Sequence, residues 1–435
     1  MILKIFSAGL VLAAFLSTTF SSAQVKRVKI GVASTPTTAE ISISLKARFQ
    51  HIDATPSHAD DHFDEGIYSP KSAIFTPDGK KFYINSLEGF STLVYNASTL
   101  KRVKIISHTF NSANQSLFLK GETTAFDYEF KKRTKDKNYF QGKPVESCLS
   151  HNGRYLWVTY YRRSYDMNAQ DPSAVAIIDT QTDAIVRVMP TGPLPKMVAA
   201  SPDGRYVAVT HWGDNTVGLI DVSTGNPADF KYVKHFVVGK RLSMDFSDTE
   251  KIDRDKECGY CLRGTTFTPD SKYLLVGRMT TGGIAVFDMS SWDYLGLVTG
   301  MKGSVRHLII RNNYVLVSTN SSGYVHKLPL KTLLDAKLAQ KSKDVMLNWE
   351  GCFAGNGIRT IDSSPDAKYI FAAVNNESKI AVIRASDMSV IATVAADSFP
   401  VGLAVSPDNS LVVVTAQGKS SGGGNSVMVY KVTKR

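Results

Sequence analysis

The sequence predicts an all-β fold: seven units of four short strands in a ring, a seven-bladed β-propeller closed by an N-terminal strand. Three observations predict it. A polar turn between two apolar runs recurs seven times along the 435 residues. Most of these pairs of runs are followed by a third and a fourth strand-like run. The final unit stops after its third run, 426–432, so a segment from the other end of the chain must supply the fourth.

The turns come first. They are Thr76-Pro77-Asp78-Gly79, Ser150-His151-Asn152-Gly153, Ser201-Pro202-Asp203-Gly204, Thr268-Pro269-Asp270-Ser271, Ser364-Pro365-Asp366-Ala367 and Ser406-Pro407-Asp408-Asn409, with a degenerate copy at Arg311-Asn312-Asn313. Proline presets φ for the first central position, and Asp or Asn bonds nearby backbone. The runs that follow, such as 206–209 (YVAV) and 273–276 (YLLV), are β-branched and aromatic. The shortest step, Asp366 to Asp408, is 42 residues and marks a bare blade. Longer steps mark insertions near 107–141, 160–172, 241–257 and 331–344, the last reading as a short amphipathic helix. The closing strand is expected from 27–32 or 44–52.

The first 23 residues read as a signal peptide: Lys4, an apolar run over 5–20, then Ser21-Ser22-Ala23, with the mature chain starting at Gln24. The expected location is secreted or periplasmic, with the cell surface as a variant. No later run has the length of a transmembrane helix. Lys and Arg number 51 against 39 Asp and Glu, a formal charge of +12, which favours anionic partners in general. Charged residues at 21% and hydrophobic ones at 43% exclude a disordered chain. Of the four cysteines, Cys258 and Cys261 have redox-motif spacing but lack a surrounding βαβ pattern and a following His. A structural disulfide or free thiols, with Cys148 and Cys352, is the reading; a four-thiolate metal site is the lesser alternative.

The repeats resemble the YVTN-repeat propellers, also described as YncE-like or surface-layer-type, a WD40-like architecture. The words that carry the resemblance are 201–210 (SPDGRYVAVT) and 214–221 (DNTVGLID). The resemblance implies a seven-bladed fold and leaves function open, since similar propellers serve as lactonase-like enzymes, haem d1 domains and exported binding proteins.

Strand order then places a candidate site. The strand before each turn is innermost, and its opening residues meet at the face opposite the turns. Those residues are Lys71, Glu146, Lys196, Arg263, Arg306, Arg359 and, in the last blade, Pro400-Val401-Gly402. Five of the seven openings present a cation in nearly the same register. Converging like charges call for an anion, and Arg suits carboxylate or phosphate. Loops after the second strands add Tyr160, Tyr161, His211, Trp212, Arg278, Asn320, Asn375 and Gln417.

The function expected is an exported propeller that binds an anionic small molecule, acidic glycan or protein partner at a basic central funnel. An enzyme on the same face, a lyase of acidic sugars or a lactonase-like hydrolase, is the alternative. His211, Tyr160 and Tyr161 are then the weak catalytic candidates. No nucleophile elbow or triad is present, so the non-enzymatic reading leads. Nucleic-acid binding comes last, with no matching motif. No cofactor is predicted; haem and metal stay open, with His58 and His62 as weak metal candidates.

Overall fold

The structure, a computed structural model, describes residues 27–36, 40–118, 140–164, 166–245, 250, 252–417 and 425–434. The segment 1–23 and the charge run 131–137 lie outside them. Seven antiparallel sheets of four core strands form the blades. We number the blades by their innermost strands: Pro70–Phe75, Phe140–Ser150, Pro195–Ala200, Leu262–Phe267, Val305–Arg311, Ile358–Ser363 and Pro400–Val405. Each innermost strand pairs with the strand after the polar turn, as in Met197↔Thr210 through Ala200↔Val207.

The turns are held by one repeated set of bonds. In blade 3 the Ser201 hydroxyl donates to Asp203 at 2.6 Å, while Asp203 accepts from the Arg205 amide at 3.0 Å and Ser201 Oγ from the Tyr206 amide at 2.8 Å. The same contacts recur around Asp78, Asp270, Asp366 and Asp408. This is the Asx and Ser/Thr turn chemistry that makes the repeat visible in sequence.

The apolar runs do not alternate with polar residues because each blade packs on both sides. Val207 and Val209 lie with Trp157 and Ile177 of blade 2, whereas Ala208 lies with Leu274 and Val276 of blade 4. Both faces of the middle strands are therefore buried.

Ile41–Gln50 completes blade 7 by pairing antiparallel with Ser426–Lys434, from Ile41↔Lys434 to Gln50↔Ser426. Of the two expected closing segments, the second is the one that overlaps this strand. The segment 27–32 forms no ladder strand. Ile41, Ile43 and Leu45 are buried against blade 6, and Ala47 and Phe49 against blade 1. Arg48 locks the closure. Its guanidinium pairs with Asp61 and with Asp397 at 3.2 Å, and Asp397 also accepts from the Val28 amide at 2.9 Å and the Ser426 hydroxyl at 2.7 Å.

The helix Leu330–Ala339 follows the third strand of blade 5 and buries Leu330 and Leu333. Among the described residues no helix is long and apolar enough to cross a membrane.

Candidate functional site: a cation ring in the central channel

Each innermost strand breaks its ladder register near its start. The irregularity lies between Pro70 and Ala73, Pro195 and Met197, Leu262 and Thr265, Val305 and His307, Ile358 and Ile361, and Pro400 and Leu403. In blade 2 it falls opposite Val158–Tyr160, between Pro144 and Ser147. The residues skipped include the sequence-predicted ring positions: Lys71, Glu146, Lys196, Arg263, Arg306, Arg359 and, in blade 7, Val401. A bulge residue is unpaired and its side chain is re-aimed, here on seven strands at one level.

The structure brings the six charged residues together. Arg263 donates to Glu146 at 2.6 Å, and both are buried. Lys196 Nζ pairs with Asp255 at 2.7 Å and lies 3.7 Å from the Trp212 ring and 4.8 Å from the Tyr161 ring. Lys71 Nζ donates to the Gln417 amide oxygen at 2.9 Å, and Arg306 meets the Met279 sulfur at 3.6 Å. Arg359 Nε is buried without a hydrogen-bond partner among the described residues. Two carboxylates thus face five cations. Lys71, Arg306 and Arg359 have no carboxylate partner among the described residues.

The electrostatics follow from that imbalance. Burial pushes the Lys71 ammonium well below its ordinary range, and Arg359, Arg306, Arg263 and Lys196 push it further. Burial lowers Lys196 to about 7, with Asp255 opposing and Arg263 and Arg306 reinforcing. Burial, then Arg263, brings Arg359 to about 10. Arg306 is lowered by burial and then by Arg263 and Arg359. A guanidinium does not give up its proton near neutrality, so for Arg306 and Arg359 the strain stays in the fold as repulsion. Burial raises Glu146, against the pull of Arg263.

Below the ring lies a cavity of about 730 Å³, lined by inner-strand residues that include Glu146, Ser147, His307 and Thr360. Polar side chains cross between blades around it. Asn375 donates to the Pro400 carbonyl at 3.0 Å, Asn320 to Ile358 at 2.8 Å, and Asn85 to Ser72 and Ser147 at 2.9 and 2.8 Å.

The catalytic candidates are placed differently from the ring. His211 is fully buried within blade 3. Its Nε2 accepts from the Gly192 amide at 3.2 Å, so Nδ1 carries the proton toward Thr216 Oγ1 at 2.8 Å. Burial, then His235 and Arg241, keeps it neutral. Tyr160 is buried in an apolar cluster, its hydroxyl 2.8 Å from His108 Nδ1. Tyr161 does reach the ring, donating to Asp255. Arg278 stands over Tyr260 at 4.7 Å and donates to the Gly282 carbonyl at 2.9 Å.

Asp255 was not legible in the sequence as a site residue. It comes from the charged insertion over 241–257, and only packing shows that Asp255 lies against Tyr161, Lys196 and Trp212. Trp212 Nε1 donates to the Asp255 carbonyl at 3.1 Å, and Cys258 and Cys261 are disulfide-bonded where the insertion joins the Arg263 strand. Cys148 and Cys352 are free. His58 lies 3.9 Å from Asp60, while His62 stacks on Phe49. Among the described residues no group of three His, Cys, Asp or Glu side chains is arranged to hold a metal.

No known protein family matches the sequence, and no curated protein does. Among solved structures, Kuenenia stuttgartiensis hydrazine synthase is similar, with a TM-score of 0.57 and 14% identity over 87% of this chain and 99% of that one. The β-propeller domain of Myceliophteria thermophila Cps50 (Swd1) is similar with a TM-score of 0.56 and 14% identity, over 84% and 97%. At that identity the likeness is one of architecture, and the architecture is that of a seven-bladed β-propeller.

Proposed function

We propose that this protein is an exported propeller of the YVTN-repeat kind that captures an anionic ligand at the cation ring. One observation carries the reading. Arg306, Arg359 and Lys71 lie within electrostatic reach of one another, Arg306 buried and the other two half-buried, with no carboxylate partner among the described residues. Such an arrangement is unfavourable when empty and is offset when an anion enters. The ligand class is a small di- or trianion, matched in charge to the ring cations that have no carboxylate partner among the described residues.

Export is tested by the mature N-terminus. Mass spectrometry of protein from the native host is expected to give Gln24 as the first residue, and an intact Met1 would contradict it.

The anion reading is tested by proton linkage. A bound anion favours the charged ammonium, so it raises the pKa of Lys196 from about 7. At pH 8, citrate binding is therefore expected to take up protons, measured by calorimetry in buffers of different ionisation enthalpy. Affinity falls as pH rises through the range from about 7 toward 10.5. The empty protein shows the reverse. Its folded-state pKa is depressed, so protonation favours unfolding, and the Lys196 penalty fades as pH rises over the same window. Binding without proton uptake would contradict the placement of the anion beside Lys196.

A further inference from the structure

The residue after each ring position is small on five of the blades, Ser72, Ser147 and Thr360 among them; only Met197 and His307 are large. That layer lines the cavity beneath the cations, with His307 its one imidazole. Two polar atoms on neighbouring strands are buried without partners among the described residues: Arg359 Nε in the ring, and Nδ1 of His307, which lines the cavity. A shared serine sets both strands, since Ser318 Oγ accepts from the His307 amide at 3.1 Å and donates to the Arg359 carbonyl at 2.8 Å.

The two orphaned atoms differ in character. Arg359 Nε is a donor. Burial, then Arg263 and Arg306, lowers His307 to about 3 against an opposing interaction with the Ile361 backbone, so the ring is neutral. A neutral imidazole holds one proton and one lone pair, so Nδ1 accepts in one tautomer and donates in the other, and a hydroxyl meets either. Leaving both atoms unmet is costly, and a ligand that meets both gains on each.

We infer that the ligand is a hydroxycarboxylate, its carboxylate on Arg306 and Arg359 and its hydroxyl hydrogen-bonded to His307 Nδ1. This rests on the anion-binding reading and goes beyond it by naming the second functional group and the residue that selects it.

Citrate and tricarballylate are the matched probes, both tricarboxylates and differing only in one hydroxyl. Calorimetry on the wild-type protein is expected to give citrate about tenfold tighter binding. His307→Phe, which keeps the ring volume without the nitrogen, is expected to bring the citrate and tricarballylate affinities together. His307→Asn, which keeps an acceptor near the Nδ1 position, retains part of it. Equal affinities in the wild type would overturn the assignment with no variant needed, and so would a preference that survives in His307→Phe; either leaves anion binding standing. If neither probe binds the wild type at millimolar concentration, the anion reading falls and this inference with it.

Discussion

Replacing Arg306 and Arg359 together by methionine is expected to raise the melting temperature of the empty protein by a few degrees and to remove its response to anions. Most buried substitutions destabilise, so the direction is diagnostic. The wild-type side chains place one buried and one half-buried guanidinium together, each repelled by the other and by Arg263. Arg306 is 7% exposed, and among the described residues its side-chain hydrogen-bond partner is the Met279 sulfur, a weak acceptor. Methionine fills similar volume without charge or desolvation cost. Exchanging buried ionic groups for apolar ones of like size is neutral or stabilising by roughly 1–4 kcal/mol. Arg263 is excluded from the substitution because its pairing with Glu146 is satisfied, and its removal would leave a buried carboxylate alone. A fall in melting temperature would mean that the two arginines are structural.

Asp397→Ala is expected to cost about 3–5 kcal/mol, the range for stripping one partner from a buried ion pair. The carboxylate is fully buried and serves three groups: Arg48 on the closing strand, the Val28 amide and the Ser426 hydroxyl. Its loss unfastens the N-terminal segment from the last blade at the point where the ring closes. Arg48 keeps Asp61, so part of the pairing survives. Lys331→Ala, which breaks the exposed pair with Asp335, is the contrast and is expected to change stability by less than about 1 kcal/mol. Urea titration of both variants measures the difference. Similar midpoints for the two would show that the clasp does not hold the ring.

What could be read in advance divides along physical lines. The turns were legible because their bonds are local, running between Ser201, Asp203 and Tyr206 in one loop. The ring register was legible for the same reason: Lys71, Lys196, Arg263 and Arg359 each stand seven residues before a turn aspartate. The bulge that swings those side chains inward leaves no residue signature, because Pro, Leu, Val and Ile all stand at its edge. Asp255 and Arg48 act across 59 and 349 residues of chain, and no pattern within one blade announces such partners. His211 ends its strand beside a loop and reads as available, yet its neighbours in blade 3 take up both nitrogens. His307 follows Arg306 on the largely apolar strand Val305–Arg311. It stands out only once the layer below the ring is assembled and every other side chain in it except Met197 proves small.

The most direct measurement is thermal unfolding of the wild-type protein and of Arg306→Met/Arg359→Met across a series of citrate concentrations at pH 7 and fixed ionic strength. A ligand that binds only the folded state stabilises it by RT ln(1 + [L]/Kd), about 2.7 kcal/mol at a hundredfold excess over Kd. The wild-type melting temperature is expected to climb with the logarithm of citrate concentration, while the variant starts higher and stays flat. Parallel curves for the two proteins, or a flat wild type, would contradict an anion site built on the ring.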